Sequence, residues 1–206
     1  MNKVTFPMWD NEIEKVANEI NRVSSQIKSV QKKLPTNDII YGDDNFNIFC
    51  DNVYQTLDYW TGHTYIGHKK CKLIRKAFQV FFEALYDFLL FCQREDNSFL
   101  HLLKKLADDA LYQGTIYRYL GHCSDDPDTE SKVEPKYNSI YVSWSKKPNN
   151  HYIQSKLYGT KTLMTCVISE PYYGIDLEAF GVVRGDEEEV VFPTLQETIK
   201  SIEYFE

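Results

Sequence analysis

The sequence predicts an α+β protein whose helices come first and whose strands follow. Three observations predict it. Apolar residues recur at helical spacing through the first half of the chain, from Ile13 to Ala110. From Gly114 onward, short runs rich in β-branched and aromatic residues alternate with polar turns. The charge balance shifts at the same place: residues 1–110 carry 14 basic and 15 acidic side chains, residues 111–206 carry 9 and 15. The division that follows is a helical lobe over residues 1–112 and a β lobe over residues 113–206.

The elements can be taken in order. Asn11 and Glu14 have capping-box spacing, a helix start. Ile13, Val16, Ile20, Val23, Ile27, Val30 and Leu34 then fall at alternating steps of three and four, a narrow seam that Pro35 ends. Such a seam either packs inside its own bundle or serves a partner, an inhibitor or a second copy of the chain; the helices that follow favour the bundle. Asp43, Asp44 and Asn45 can cap a second helix with Phe46, Phe49, Val53, Leu57 and Trp60 on one side, ending at Thr61 and Gly62. Residues 72–92 carry a wide apolar face (Ile74, Phe78, Phe81, Phe82, Leu85, Phe88, Leu89), which marks the central helix of the lobe. A fourth helix runs from Phe99 to Ala110 after the restart at Asp96, Asn97 and Ser98. In the β lobe, strands are predicted at residues 115–120, 139–145, 162–169 and 190–192. A polar loop covers 122–138, a short helix 151–158, and Pro193 stops the last strand.

Composition removes several function classes. A hydrophobic content of 43% builds a packed core and excludes a disordered chain. A net charge of −7 argues against a general nucleic-acid binder. The basic cluster Lys69, Lys70, Lys72, Arg75 and Lys76 reads as a solvated helix start. The first residues, MNKVTFPMWDNEIEK, have no apolar signal segment. The most apolar run, residues 77–92, holds Glu83 and Asp87 and is too short to span a bilayer. The expectation is a soluble, cytoplasmic protein with no membrane partner. The five cysteines form no CxxC and are odd in number, so reduced thiols are expected. His63, His68 and Cys71 are too loosely spaced for a ligand set, and no metal is expected.

The chemistry-bearing stretch is residues 174–194, GIDLEAFGVVRGDEEEVVFPT. Four adjacent acids, Asp186, Glu187, Glu188 and Glu189, stand at the mouth of an apolar strand. Strand alternation puts Glu187 and Glu189 on one face and Glu188 on the other. Upstream, Arg118 sits mid-strand in IYRYLG, where a charge needs a partner. Ser143 and Ser145 share a strand face, with Trp144 opposite.

An arginine on an early strand, an S-x-S strand and an E-x-E strand, in that order, resemble the R-S-E signature of mono-ADP-ribosyltransferases. GIDLEAFGVVRGDEEEVVFP is similar in layout to that family's target-recognition loop, E-x-E and following strand. The resemblance covers roughly residues 115–194. It implies an ADP-ribosyltransferase-like mixed β-sheet lobe with an NAD+ cleft, NAD+ as substrate, no metal, and a protein acceptor. Glu189 would hydrogen-bond the ribose and face the developing cation. Glu187 would lie beside the incoming nucleophile, which in E-x-E members is generally arginine. Arg118 would grip NAD+ through a phosphate or ribose, with Ser145 also lining the cofactor site, and Ser143 would fix the Glu189 rotamer. Phe180 matches a target-contacting aromatic, and Tyr158 matches the ring that stacks on nicotinamide. Lys146 and Lys147 would contact phosphate.

Two features depart from the family pattern. Trp144 replaces a small polar residue, and Arg118 and Ser143 are only 25 positions apart. Two other readings therefore stand beside the transferase: an NAD+ glycohydrolase, in which water replaces the acceptor, and a transferase-like interaction module without activity.

Overall fold

The computed structural model describes residues 1–3, 6, 12–34, 43–63, 72–95, 100–123, 137–149, 157–182 and 188–205, without the side chains of 63, 122, 123, 157–160 and 205. Among these residues the chain forms four helices and then seven strands. It divides into two compact units, Met1–Asp108 and Asp109–Glu206.

The first unit holds α1 (Ile13–Lys33), α2 (Asp44–His63), α3 (Lys72–Arg94) and α4 (His101–Ala110). The narrow seam of α1 is buried: Ile20, Val23, Ile27 and Val30 are 0% exposed. The helix packs on α3 and α2, so the seam is buried within its own bundle. On α3, Phe81, Phe82, Leu85 and Leu89 are fully buried, and Trp60 of α2 meets Phe78 and Phe82 edge-on, each with ring centroids 4.9 Å apart. A large apolar side chain buried in this way stabilises by about 1.5–3 kcal/mol.

The helix ends show where local signals hold. The Asp43 carboxylate accepts the Phe46 N–H at 2.6 Å and caps α2. Asn11 of the expected capping box lies outside the described residues, and α1 starts after Glu12 without a side-chain cap. α2 continues through Thr61 and Gly62 to His63, and the Thr61 hydroxyl donates back to the Asp58 carbonyl at 3.0 Å.

The second unit is a curled sheet ordered β1-β5-β6-β3-β2-β4-β7. Its strands are β1 (Leu111–Tyr112), β2 (Gly114–Cys123), β3 (Asn138–Ser145), β4 (Leu157–Ile168), β5 (Gly174–Asp176), β6 (Glu189–Thr194) and β7 (Ile199–Phe205). Every neighbouring pair is antiparallel, where the resemblance implied a mixed sheet. Parallel neighbours need a long crossover, usually a helix, and among the described residues no α-helix follows β1. Ile116, Trp144, Met164, Cys166, Ile168, Val190 and Phe192 form the core. Trp144 is 2% exposed and its indole N–H donates to the Phe192 carbonyl at 2.9 Å. Gly174 opens β5 because a Cβ there would lie 2.5 Å from a Val190 methyl.

Three expectations change. Pro193 does not stop β6, which runs on to Thr194. It sits beside a register irregularity between Asn138 and Tyr141 of β3, and β5 pairs only with Val190 and Val191, so the missing N–H leaves no gap in the ladder. Leu157 and Tyr158 belong to β4, not to a short helix; residues 151–156 of that expected helix lie outside the described residues. β1, β5 and β7 were not anticipated. β1 and β5 have two and three residues, too few to show an alternation, and β7 is an edge strand with exposed Lys200, Glu203 and Tyr204, so its sequence lacks the clean alternation of a half-buried strand.

Candidate functional site

Three adjacent strands of the sheet, β6, β3 and β2, carry Glu189, the pair Ser143 and Ser145, and Arg118. Register decides which of them meet. Ser145 of β3 lies directly opposite Glu189 of β6, and Ser143 opposite Val191. Paired residues of an antiparallel ladder share a face, so Ser143, Ser145 and Glu189 stand on one face. Trp144, paired with Val190, takes the other, where the core gives the indole the pocket it needs.

Arg118 is not on the face of the serines. Tyr117 is the residue opposite Ser145, and Arg118 pairs with the core residue Met164 on β4. Alternation therefore turns Arg118 toward the face of Ile116 and Trp144. Its guanidinium reaches sideways and donates to the Ser143 main-chain carbonyl at 3.0 Å. β2 and β3 register at Tyr117–Ser145 alone, so beyond that pair a side chain satisfies the acceptor that a strand N–H would ordinarily take. The geometry makes Arg118 a strut between β2 and β3.

The segment entering β6 is held from both sides. The Lys146 N–H donates to the Glu188 carbonyl at 2.9 Å, and the Leu177 N–H to the Glu189 carbonyl at 3.0 Å. The Lys146 ammonium binds Asp176 at 2.8 Å and Glu178 at 2.9 Å, and lies 5.8 Å from the centre of the Tyr112 ring. Lys147 pairs with Glu188 at 3.1 Å. The Ser145 hydroxyl accepts the Lys147 N–H at 3.1 Å and closes the turn that follows β3. Burial by itself would lower the Lys146 pKa; the hydrogen bonds and charges of Asp176 and Glu178 outweigh it and hold the ammonium above the ordinary lysine value. Burial also pushes the Tyr112 phenol up, against the opposing charge of Lys146. The two lysines expected at a phosphate are thus engaged by acids of this chain.

The remaining predicted residues are placed as follows. Phe180 ends a short 3-10 turn (Glu178–Phe180) after β5, half-exposed, with Gly181 beyond it at φ 72°. Tyr158 lies in β4 opposite His122, its side chain outside the described part. Glu187 lies outside the described residues. Asp176 was missed by sequence reasoning. The available signal was an acid set between Ile175 and Leu177 in a run that is buried throughout.

No protein-family model, no characterised protein and no solved structure matches this chain. Among the described residues no group of three or more His, Cys, Asp or Glu side chains is arranged to hold a metal ion, and no helix is long and apolar enough to cross a membrane. An open cavity of about 650 Å³ runs along the start of α1, lined by Glu12, Ile13, Glu14, Lys15, Asn18 and Glu19, none of them a predicted site residue.

Proposed function

We propose that the protein is a mono-ADP-ribosyltransferase that cleaves NAD+ and passes ADP-ribose to an arginine of a protein acceptor. The observation that carries this reading is the register of β3 on β6, which sets Ser145 opposite Glu189 and Ser143 on the same face. With Arg118 on the adjacent strand, the three signature segments lie side by side in the sheet. In the reaction the bond between the ribose C1′ and the nicotinamide nitrogen breaks, and its electron pair leaves with neutral nicotinamide. The ribose develops oxocarbenium character, as in glycoside cleavage. The Glu189 carboxylate stabilises that charge and the ribose hydroxyl. The acceptor nitrogen forms the new bond to C1′ and releases a proton to solvent; the resemblance gives Glu187 the task of orienting that nitrogen. Ser143 steadies the Glu189 side chain, and Arg118 braces the strand that carries Ser143.

A second reading is favoured by one observation. The Arg118 guanidinium is turned from the serine face and donates to Ser143, and Lys146 is held by acids. A protein built this way could be a transferase-like interaction module. The deciding experiment is transfer of labelled ADP-ribose from NAD+, with and without lysate, comparing the wild type with Glu189→Gln. Label on macromolecules that disappears in the variant supports the transferase. NAD+ loss without label points to a glycohydrolase. No turnover in either condition, with no saturable thermal shift by NAD+, overturns the enzymatic reading.

A further inference from the structure

We infer that Lys146 is a positioning residue for Glu189, an inference that rests on the NAD+-cleaving reading of that carboxylate. Glu189 is the first residue of β6, with Glu188 immediately before it. The first residue of a strand holds its place only as firmly as its neighbours hold its main chain. Beside the ladder that pairs Glu189 with Ser145, the Lys146 N–H donates to the Glu188 carbonyl and the Leu177 N–H to the Glu189 carbonyl. Both donors flank one ion cluster. The Lys146 side chain leaves the end of β3 and binds Asp176, the last residue of β5, and Glu178, the first residue of the turn beyond Leu177. The Glu178 N–H in turn donates to the Asp176 carboxylate at 3.1 Å. One ammonium therefore ties together the two segments between which Glu189 is suspended.

The strength of the tie follows from its burial. The Lys146 and Asp176 side chains are 16% and 11% exposed, so water and salt screen their attraction weakly. The Lys147–Glu188 pair, at 44% and 39%, is an exposed pair and adds little. Through Asp176 and Glu178, Lys146 thus acts on the main chain from which the Glu189 carboxylate starts.

The test uses the full chain and two readouts, NAD+ cleavage kinetics and amide hydrogen exchange at Leu177 and Ile116. Lys146→Met keeps the length and removes the charge. It should lower kcat about tenfold or more, with the KM for NAD+ within about twofold. It should speed exchange at Leu177 about tenfold or more and leave Ile116 unchanged. Lys146→Arg should restore most of both, and Lys200→Met on β7 should alter neither. If Lys146→Met does not fold because Asp176 is left buried and unpaired, Lys146→Met/Asp176→Asn removes both charges and carries the same expectations. Wild-type protection of Leu177 in these variants overturns the inference whatever the activity. An opened Leu177 with wild-type kcat also overturns it. A wild type that cleaves no NAD+ sinks the enzymatic reading alone, and the exchange experiment still decides whether Lys146 holds the Glu189 segment.

Discussion

The helical unit and the β unit bury their polar groups in different ways. In the helices, Ser24 and Thr56 are buried, and each hydroxyl donates to the carbonyl four residues back, at 2.8 Å in both cases. Asn52 spans α2 and α1 by donating to Gln26 at 3.0 Å. These bonds are neutral, and the packing around them is a stack of phenylalanine and aliphatic side chains. Among the described residues of the β unit, Ser145, Thr162, Asp176, Thr194 and Thr198 are buried, and Asp176 alone of these is charged; it pairs with the part-buried Lys146 near the candidate residue Glu189. Apolar packing is non-directional and tolerates small adjustments. A charge pair at 2.8 Å fixes position and leaves a large penalty when one partner is removed. What sets the second unit apart is its part-buried ion pair, which holds two segments of the sheet at fixed positions.

Substitutions can break or sharpen that contrast. The largest effect is expected for Glu189→Gln, which should lower NAD+ turnover about 10²–10³-fold while the KM for NAD+ and the thermal midpoint stay close to wild type. Wild-type turnover in this variant would remove Glu189 from the mechanism. Phe82→Ala in the helical core should cost about 3–5 kcal/mol by denaturant titration and leave the KM of the folded fraction unaltered. A changed KM would show that the helices set the geometry of the site as well as stability. Trp144→Phe should cost about 1–2 kcal/mol, through the lost donor to Phe192 and the smaller ring. A loss much below that would mean that the indole N–H contributes little to the core.

The smallest effect concerns pH. Burial, aided by the nearby charge of Glu95, pushes the Cys92 thiol up to about 12. The folded state therefore keeps a proton that the unfolded chain releases near the ordinary thiol value of 9.0. Stability should be insensitive to this group below pH 9 and fall as pH rises from there toward 12. At pH 8 a thiol reagent should modify Cys92 about 10³-fold more slowly than the same cysteine in the unfolded protein. Rapid labelling of the native protein at Cys92 would show that the helical core opens locally. Lys146 acts in the same direction: its raised value stabilises the fold at neutral pH, and that contribution is lost as pH rises through the folded-state pKa.

The sequence was most legible where a pattern is local. The seam of α1 is a helical period, and its burial follows from that period. The Asp43 cap is a contact across three residues. The opposed directions of Trp144 and the two serines follow from strand alternation alone. The candidate site was legible only in part. Ser143, Ser145 and Glu189 were read as cooperating, and the ladder puts them on one face. Arg118 was read with them and faces the other way, since the alternation inside β2 was plain but its register against β3 was not. Lys146 is expected from the resemblance at a phosphate, and its partners in the chain lie 30 and 32 residues further along.

By itself the sequence determined the α+β order, the helical seam and the alternation of each strand, because these depend on neighbours within a turn or two of chain. The tertiary structure decided which strands lie side by side, which face Arg118 takes, and what Lys146 binds. Those outcomes depend on register, and a shift of one residue reverses every side chain of a strand. That choice is made by the whole core of Ile116, Trp144, Met164 and Val190 packing together.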